Sequence, residues 1–378
     1  MASVSYFPVD NGDMTLLELE SGKKILIDIN IREAADLADG AAPDVAEMLR
    51  ERLNRDPISG DYYVDVFLLS HPDEDHCRGL ARHFHLGSPD THPGGDKILI
   101  REMWSSPMVL RRASKNHTLC SDAKAWNAEA RRRVKEFRAG NGDTRGNRIL
   151  VLGEDEDGKT DDLTRILVKT DQQFWTIDGT GDPSFSARLL APFPKAGDDE
   201  EILLSKNNSS VVLQFELAAE GNADACHYLT GGDAGVAVWE RLWARHKDHP
   251  HWLDYDLLLV PHHCSWRSLS HQSWSEHGEH AEVSNPAKSA LSQTRVGAYL
   301  VSSSKEIKDD DNDPPCIRAK REYVAIANEA RGRFTRVAGT QPSKYLITRN
   351  GPRLETASAT IGASVSAGII GCQPLPHG

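Results

Sequence analysis

Four side chains able to bind a metal ion lie within six residues of one another. The segment Ser70–His76 reads SHPDEDH, in which His71, Asp73, Asp75 and His76 offer imidazole nitrogens and carboxylate oxygens. Borderline divalent ions such as zinc and manganese accept this mixture of ligands. The alternative is a polar helix start, in which one carboxylate caps the helix and the histidines are incidental.

Two more segments place the same kinds of side chain directly after apolar runs. Residues 225–230 lead through two glycines to Asp233, and residues 257–260 lead through a proline to His262 and His263. Each has a plain alternative: Asp233 could cap the helix that follows it, and the histidine pair could belong to an ordinary loop. Because strand ends converge in layered α/β proteins, these segments together predict a shared site.

The elements that must position these residues can be read from the apolar pattern. The run VDVFLL at 64–69 is typical of a strand buried on both faces. Strands are also predicted over 4–8, 14–19, 25–29, 210–217, 225–230, 257–260, 296–302 and 344–348, and helices over 43–53, 77–85, 121–140, 236–245 and 318–329. Two strand-rich halves with helices predict an α/β (α+β) fold, with two sheets face to face and helices outside.

Composition narrows the classes of protein. Of the 378 residues, 39% are apolar and 26% are charged, which excludes wholesale disorder. A formal net charge of -12 argues against a protein that coats nucleic acid by bulk electrostatics. The sequence shows neither a secretory signal nor a membrane-spanning apolar run, and its six cysteines form no CxxC pair. We therefore expect a soluble, cytoplasmic protein with no membrane partner.

The order of these motifs resembles the metallo-β-lactamase superfamily. The HxDxDH form of the first motif resembles the metallo-hydrolase domain of the ComEC family of DNA-uptake proteins and its free-standing relatives. Five further segments resemble family motifs in the same order: DNGDM at 10–14 (VGQGDA), LID at 26–28 (LIDxG), NNSSV at 207–211 (NxxSxVL), GDA at 232–234 (TGDA) and VPHHCS at 260–265 (VPHHGS). The resemblance covers about residues 3–355, apart from 87–206, and implies an αββα four-layer sandwich. The ComEC membrane channel is absent, so the resemblance implies the hydrolase and not DNA transport.

For the site, the resemblance implies two divalent ions, zinc or manganese. The implied ligands are His71 and Asp73 for one ion, Asp75, His76 and His262 for the other, and Asp233 as a bridge between them. The two ions would share a water molecule whose pKa falls toward neutrality, and the resulting hydroxide would be the nucleophile.

Two more residues, Asp28 and His263, complete the predicted site, and Asp75 has a second predicted role. Asp28 would orient a metal ligand through a hydrogen bond. Asp75 and His263 are the predicted catalytic residues, with His263 contacting the substrate or protonating the leaving group. Adjacency alone does not decide whether His262 or His263 is the metal ligand, and we favour His262.

The sequence departs from the family pattern at three points. Cys264 replaces the usual glycine after the histidine pair, which predicts an altered backbone turn. The later Asn…His-Pro motif is represented by residues 312–315, Asn-Asp-Pro-Pro, without the histidine. The separate third-motif histidine of the superfamily has no clear counterpart, which predicts weaker ligation of one ion.

Substrate contacts are predicted from a basic segment and a polar segment. Arg131, Arg132 and Lys135 belong to a dense basic run in the 87–206 stretch, where they could bind a phosphate backbone or form a solvated helix face. The predicted phosphate contacts from the polar segment are Asn207, Ser209 and Ser210, for which loop capping is the alternative.

The leading functional hypothesis is a metal-dependent phosphodiesterase that cleaves DNA or RNA. One alternative is a hydrolase of a small ester, lactone, thioester or phosphodiester, and a second is a binding or sensor module without turnover. We expect one hydrolase domain over 1–356, with an insertion at about 87–206 that could form a lid or substrate platform, and an Ala/Ser/Gly-rich tail over 357–378.

Overall fold

The structure, a computed structural model, describes residues 1–35, 42–110, 118–154, 158–194 and 209–355. The strands are β1 (Ser3–Tyr6), β2 (Thr15–Glu18), β3 (Lys24–Ile27), β4 (Ile29–Asn30), β5 (Asn54–Arg55), β6 (Tyr62–Leu69), β7 (Phe84–His85), β8 (Ile98–Ser105), β9 (Arg148–Leu152), β10 (Leu167–Val168), β11 (Gln173–Phe174), β12 (Thr176–Ile177), β13 (Thr180–Gly181), β14 (Phe185–Ala191), β15 (Val212–Ala219), β16 (Asn222–Thr230), β17 (Tyr255–Leu259), β18 (Thr294–Ser302), β19 (Arg333–Arg336), β20 (Ser343–Thr348) and β21 (Gly351–Leu354). The α-helices are α1 (Val45–Arg50), α2 (Glu74–Cys77), α3 (Leu80–His83), α4 (Ser121–Arg138), α5 (Val236–His246), α6 (Trp274–His277), α7 (Asn285–Leu291) and α8 (Ile317–Glu329).

The strands form two large sheets. The first sheet has the order β10-β9-β8-β6-β3-β2-β1-β20-β21, and the second has the order β11-β14-β15-β16-β17-β18-β19. In the first sheet, β3, β6, β8 and β9 are parallel neighbours; in the second, β16, β17, β18 and β19 are. Each sheet therefore has a run of strands whose carboxyl ends point the same way.

Alternating side chains of the central strands face two different cores. On β6, Val66 and Leu68 belong to the cluster between the sheets, whereas Phe67 and Leu69 pack on the other face with residues of α1 and α4. β17 repeats this pattern. Leu257 and Leu259 belong to the cluster between the sheets, whereas Leu258 packs in the outer core with residues of α5, α7 and α8. This period of two buries both faces of each sheet. The layers are helix, sheet, sheet and helix, which confirms the predicted αββα fold class.

The structure differs from the prediction between the first motif and the second sheet. The helix expected over 77–85 is two short helices, α2 and α3, separated at Gly79, whose φ of +93° interrupts the helix. Cys77 and Arg78 instead form isolated bridges to Ile29 and Asn30, which pull the backbone toward the first sheet. The 87–206 stretch, expected as an insertion, contributes β8 and β9 to the first sheet and β14 to the second. None of the helices in the described ranges combines the length and the apolar character that crossing a membrane requires.

Candidate metal centre

The candidate site lies where strand ends from both sheets meet. Asp28 follows β3 and His71 follows β6 in the first sheet, while Asp233 follows β16 and the pair His262-His263 follows β17 in the second. Residues 7–14, which connect β1 to β2, contribute Asp13 to the same edge. In open α/β sheets, ligands bind outside the carboxyl ends of the strands. The structure therefore brings the three sequence motifs together.

Asp28 holds the start of the SHPDEDH segment in place. Its Oδ1 accepts a hydrogen bond from the Ser70 N–H at 2.7 Å, and its Oδ2 accepts one from the Ser70 hydroxyl at 2.5 Å. The same Oδ2 lies 2.8 Å from Nδ1 of His76, and the Asp28 side chain is almost fully buried. A carboxylate at Nδ1 keeps the proton there and leaves the Nε2 lone pair available to a metal ion.

The two carboxylate oxygens of Asp233 face different imidazoles. Oδ1 lies 3.1 Å from Nε2 of His76 and 3.5 Å from Nε2 of His263. Oδ2 lies 3.5 Å from Nε2 of His71 and 3.5 Å from Nε2 of His262. One carboxylate thus separates two pairs of histidines. This is the arrangement needed for a bridge between two ions.

Two groups of potential ligands share Asp233. The first consists of Asp13, His76, Asp233 and His263, and the second of His71, Asp73 and Asp233; within each group the ligand atoms lie within 4.8 Å of one another. Asp13 was missed by the sequence analysis, which matched the DNGDM turn to a motif without assigning a role to its second aspartate. The signal was present, since the acidic residue of that turn is also part of the matched family motif.

The predicted assignment of the histidine pair and of Asp75 differs from this geometry. His263 lies in the group of His76, whereas His262 faces Oδ2 of Asp233 on the side of His71. Both histidines have left-handed backbones, with φ values of 51° and 52°, and their ring planes are inclined at 75°. This turn sends adjacent side chains to opposite sides of Asp233. Asp75 lies outside both groups, but its Oδ2 is 3.4 Å from Nε2 of His263.

The helix-capping alternatives do not describe the observed contacts. Asp73 occupies the N-cap position of α2, but its side chain makes no capping hydrogen bond. The N-cap of α5 is Gly235, so Asp233 does not occupy that position either. Both carboxylates are instead turned toward the histidines, at 3.8 Å and 3.5 Å from Nε2 of His71 respectively.

The unsatisfied polar atoms of this cluster fit a pair of metal ions. Four buried ligand atoms make no hydrogen bond to any described residue: Nε2 of His71, Nε2 of His263, Oδ1 of Asp13 and Oδ1 of Asp233. Histidine and carboxylate groups of opposite charge nevertheless lie 3.4–3.5 Å apart in this cluster. Such orphaned buried atoms are rare in folded proteins. Two ligand atoms that share a tetrahedral zinc ion are roughly 3.3 Å apart, because each bond is about 2.0 Å long. The contacts of 3.1–3.8 Å around Asp233 and Asp73 match that spacing.

Mutual electrostatics dominate the protonation of the cluster. Burial opposes ionisation of Asp233, but the surrounding imidazoles, first among them His76, hold its pKa well below the usual range. Burial also opposes protonation of the histidines, yet the Asp233 charge raises the pKa of His76 and brings that of His263 to about 10. Burial lowers the pKa of His262. Without metal, the imidazoles of His76 and His263 are therefore positively charged, and their charges take the place of the bound cations.

The cluster opens into a cleft of about 490 Å³. Its lining residues are Asp10, Asn11, Asn30, Arg32, Asp73, Glu74, Asp75, Arg78, Asp233, His262, His263, Lys305 and Pro314. Sequence analysis did not identify the cations of this lining, because Arg32, Arg78 and Lys305 are isolated in sequence and converge only in the fold.

The predicted basic substrate-binding residues do not line this cleft. Arg132 on α4 donates to Glu129 at 2.7 Å and to Asn147 at 2.7 Å, and Arg131 donates to the carbonyl oxygen of Val109 at 2.6 Å. Lys135 is exposed on the same helix. The basic run is thus largely engaged in intramolecular contacts, because α4 packs on the outer face of the first sheet.

The polar segment gives a mixed picture. Ser209 and Ser210 are buried, and neither lines the cleft. They precede the hydrogen bond from the Val211 N–H to the Ser70 carbonyl oxygen at 2.9 Å, which ties this segment to the first motif. Asn207 lies outside the described residues. The role of these three residues in phosphate binding stays a prediction.

No family model and no curated protein matches this chain. Among solved structures, the chain is similar to the isothiocyanate hydrolase from Delia radicum gut bacteria, at 13% identity over 91% of this chain and 99% of that one, with a TM-score of 0.38. It is also similar to Zn(2+)-bound PqqB from Methylobacterium extorquens, at 12% identity over 90% of this chain and 99% of that one, with a TM-score of 0.40. A diphosphatase from the PhnP family shares 11% identity with this chain over 89% of this chain and 85% of its own, with a TM-score of 0.31. These likenesses are distant and do not decide what this chain binds or cleaves.

Proposed function

We propose that this protein is a metal-dependent hydrolase that cleaves phosphodiester bonds with two divalent ions, zinc or manganese. The observation that carries the proposal is the Asp233 carboxylate, whose two oxygens face separate histidine pairs at the floor of an open cleft. Enzymes with two ions about 3.5–4 Å apart use this arrangement for displacement at phosphorus.

Ions bound here would polarise the substrate oxygen and make a water molecule acidic enough to attack at neutral pH. The chain itself orients the ligands. Asp28 fixes the ring of His76 through Nδ1, and the left-handed turn fixes the divergent directions of His262 and His263. Asp75 is one-third exposed at the cleft, and its Oδ2 lies 3.4 Å from Nε2 of His263. In this scheme the Asp75 carboxylate would pass a proton to the leaving group, while His263 would hold an ion.

Charge in the cleft supports an anionic substrate only in the metal-bound protein. Carboxylates outnumber the three cationic side chains of the lining. Two divalent ions would reverse that balance and attract a phosphodiester. Arg131, Arg132 and Lys135 do not line the cleft. Their absence from its lining favours a short phosphodiester over the long polynucleotide that the basic run had predicted.

The test begins with protein stripped by a chelator and reloaded with manganese or zinc. Substrates are bis(4-nitrophenyl) phosphate, a dinucleotide, single-stranded DNA, plasmid and RNA, with a lactone and a thioester as non-phosphate esters. Asp233→Asn should lower turnover at least a hundredfold, more than the loss typical of a residue that only orients a ligand. Asp65→Asn changes an equally buried carboxylate in the amino-terminal half of β6, outside both ligand groups, and should retain activity.

Each outcome separates the candidate functions. Metal-dependent cleavage of a phosphodiester that Asp233→Asn abolishes supports the proposal. Cleavage of only the lactone or thioester would replace it with the small-ester alternative. Two bound ions without turnover of any substrate would favour the sensor module.

A further inference from the structure

Lys305 stands at the lip of the cleft on the segment that follows β18. Its backbone N–H donates to Oδ1 of Asn11 at 2.9 Å, and Nδ2 of Asn11 donates to the carbonyl oxygen of Pro314 at 3.1 Å. Nearby, the Ser303 hydroxyl donates to the carbonyl oxygen of Gly12 at 2.6 Å. These bonds join the segment to the β1–β2 connection. The backbone of Lys305 is therefore fixed although its side chain is exposed.

Lys305 differs from the other cations of the cleft in having no carboxylate partner among the residues that the structure describes. Nη1 of Arg32 lies 2.9 Å from Asp10, and Nε of Arg78 lies 3.3 Å from Glu74. Within the described ranges, the ammonium group of Lys305 makes neither an ion pair nor a hydrogen bond. An exposed ammonium at the wall of a binding cleft is available to an anionic group of a ligand without first breaking an internal contact.

A second cavity continues the cleft beyond Lys305. It has a volume of about 300 Å³ and shares Asn11, Lys305 and Pro314 with the metal cleft. Its remaining lining includes Glu306 and Asp310, and exposed Asp309 and Asp311 flank it. Lys308 in this cavity is already paired with Glu306 at 3.5 Å. The side-chain charge thus changes from positive at Lys305 to negative over the next few residues. These carboxylates would repel a longer polyanion that extended from Lys305 into the second cavity.

We propose that Lys305 binds a second phosphate of the substrate, adjacent to the phosphodiester that is cleaved. The acidic segment 306–311 then limits the substrate to a short oligonucleotide with a terminal phosphate. This inference rests on the proposed function and narrows its substrate class. Lys305 is a specificity-determining residue in this scheme, because it contacts a group that does not react.

The experiment compares a dinucleotide that carries a 5′-phosphate with the same dinucleotide without it. For the wild-type protein with manganese, KM should be about tenfold lower for the phosphorylated substrate, the change expected from one charge-assisted hydrogen bond. Lys305→Gln should remove this difference with kcat retained, and Lys305→Arg should preserve it. Lys247→Gln removes the same charge at the exposed C-cap of α5 and serves as the matched control. Melting temperatures establish that each variant is folded.

Binding supplies a readout that does not depend on turnover. Titration calorimetry should show that a nucleoside 3′,5′-bisphosphate binds the wild-type protein about tenfold more tightly than the 3′-monophosphate, which lacks the terminal phosphate, and that Lys305→Gln binds both equally. A 20-nucleotide strand should have a higher KM than the phosphorylated dinucleotide.

The possible failures are distinguishable. If the wild-type protein cleaves bis(4-nitrophenyl) phosphate but Lys305→Gln keeps the preference for the terminal phosphate, the inference is wrong and the proposed function stands. A lower KM for the 20-nucleotide strand would overturn the limit on length. If no phosphodiester is cleaved with either metal, the proposed function fails, and the inference fails with it.

Discussion

Replacing Asp28 with asparagine tests how the chain prepares His76 for a metal ion. Asp28 accepts two hydrogen bonds from Ser70, and its Oδ2 also contacts Nδ1 of His76. An asparagine can keep the bond from the Ser70 N–H, but its amide NH₂ would face both the Ser70 hydroxyl and the imidazole. Losing two hydrogen bonds to a buried charge should lower the free energy of unfolding by about 3 kcal/mol. Moving the imidazole proton to Nε2 would also block the nitrogen that faces Asp233.

The expected loss of metal affinity is about 10–100-fold, the usual effect of removing a group that orients a ligand. Competition with a fluorescent chelator measures this loss, and urea unfolding measures stability. Asp65→Asn is the matched control, because Asp65 is also buried and accepts from the Lys24 N–H at 2.9 Å, but lies in the amino-terminal half of β6 and outside both ligand groups. It should lower stability and leave metal affinity unchanged. An Asp28→Asn protein that binds metal within twofold of wild type would refute the reasoning.

Three further predictions address the same site. The metal-free pKa of His263 is about 10, so metal must displace a proton; affinity should rise with pH from 6 to 9, and calorimetry in buffers of different ionisation enthalpy should detect proton release. Gly232→Ala should weaken metal binding more than tenfold, since a Cβ there would lie 2.6 Å from a neighbouring side-chain atom; Gly221→Ala, also at positive φ but in open space, should cost only about 1 kcal/mol and leave binding intact. Asp13→Asn and His71→Ala should each reduce bound metal from two ions to one, measured by elemental analysis, and unchanged stoichiometry in both would contradict the two-group arrangement.

The sequence was most informative where a buried strand ends in a polar motif. The apolar run at 64–69 lies within β6, and SHPDEDH follows it directly at the sheet edge. A short, nearly continuous apolar run predicts such a strand because both of its faces pack against apolar cores. The convergence of His71, Asp233 and His262 followed from the rule that strand ends meet at one edge, since each follows an apolar run closely, whereas the role of Asp28 was implied by the resemblance. The fold class and the location of the site were therefore predictable from local pattern.

Side-chain direction was not predictable in this way. In a regular helix or strand, the element itself sets the directions of two adjacent side chains. His262 and His263 instead lie in consecutive left-handed conformations, which no residue propensity indicates. Asp13 was overlooked because its partners, His76 and His263, are distant in sequence. The basic run on α4 misled for a related reason. Charge density in sequence does not show that Glu129 already pairs with Arg132, as it does at 2.7 Å.

The same turn explains why cysteine can replace the glycine expected at 264. Cys264 also has a left-handed φ, 68°, so the backbone expected for glycine is retained at a cost of about 1–2 kcal/mol. Two contacts hold it there: the Cys264 carbonyl oxygen accepts from the Cys316 N–H at 3.0 Å, and the buried thiol packs in the outer core. Asp313 accepts from the Ser265 hydroxyl at 2.7 Å and from the Trp266 N–H at 3.0 Å. The surrounding structure thus stabilises a strained turn, and that turn directs two neighbouring imidazoles to opposite oxygens of Asp233.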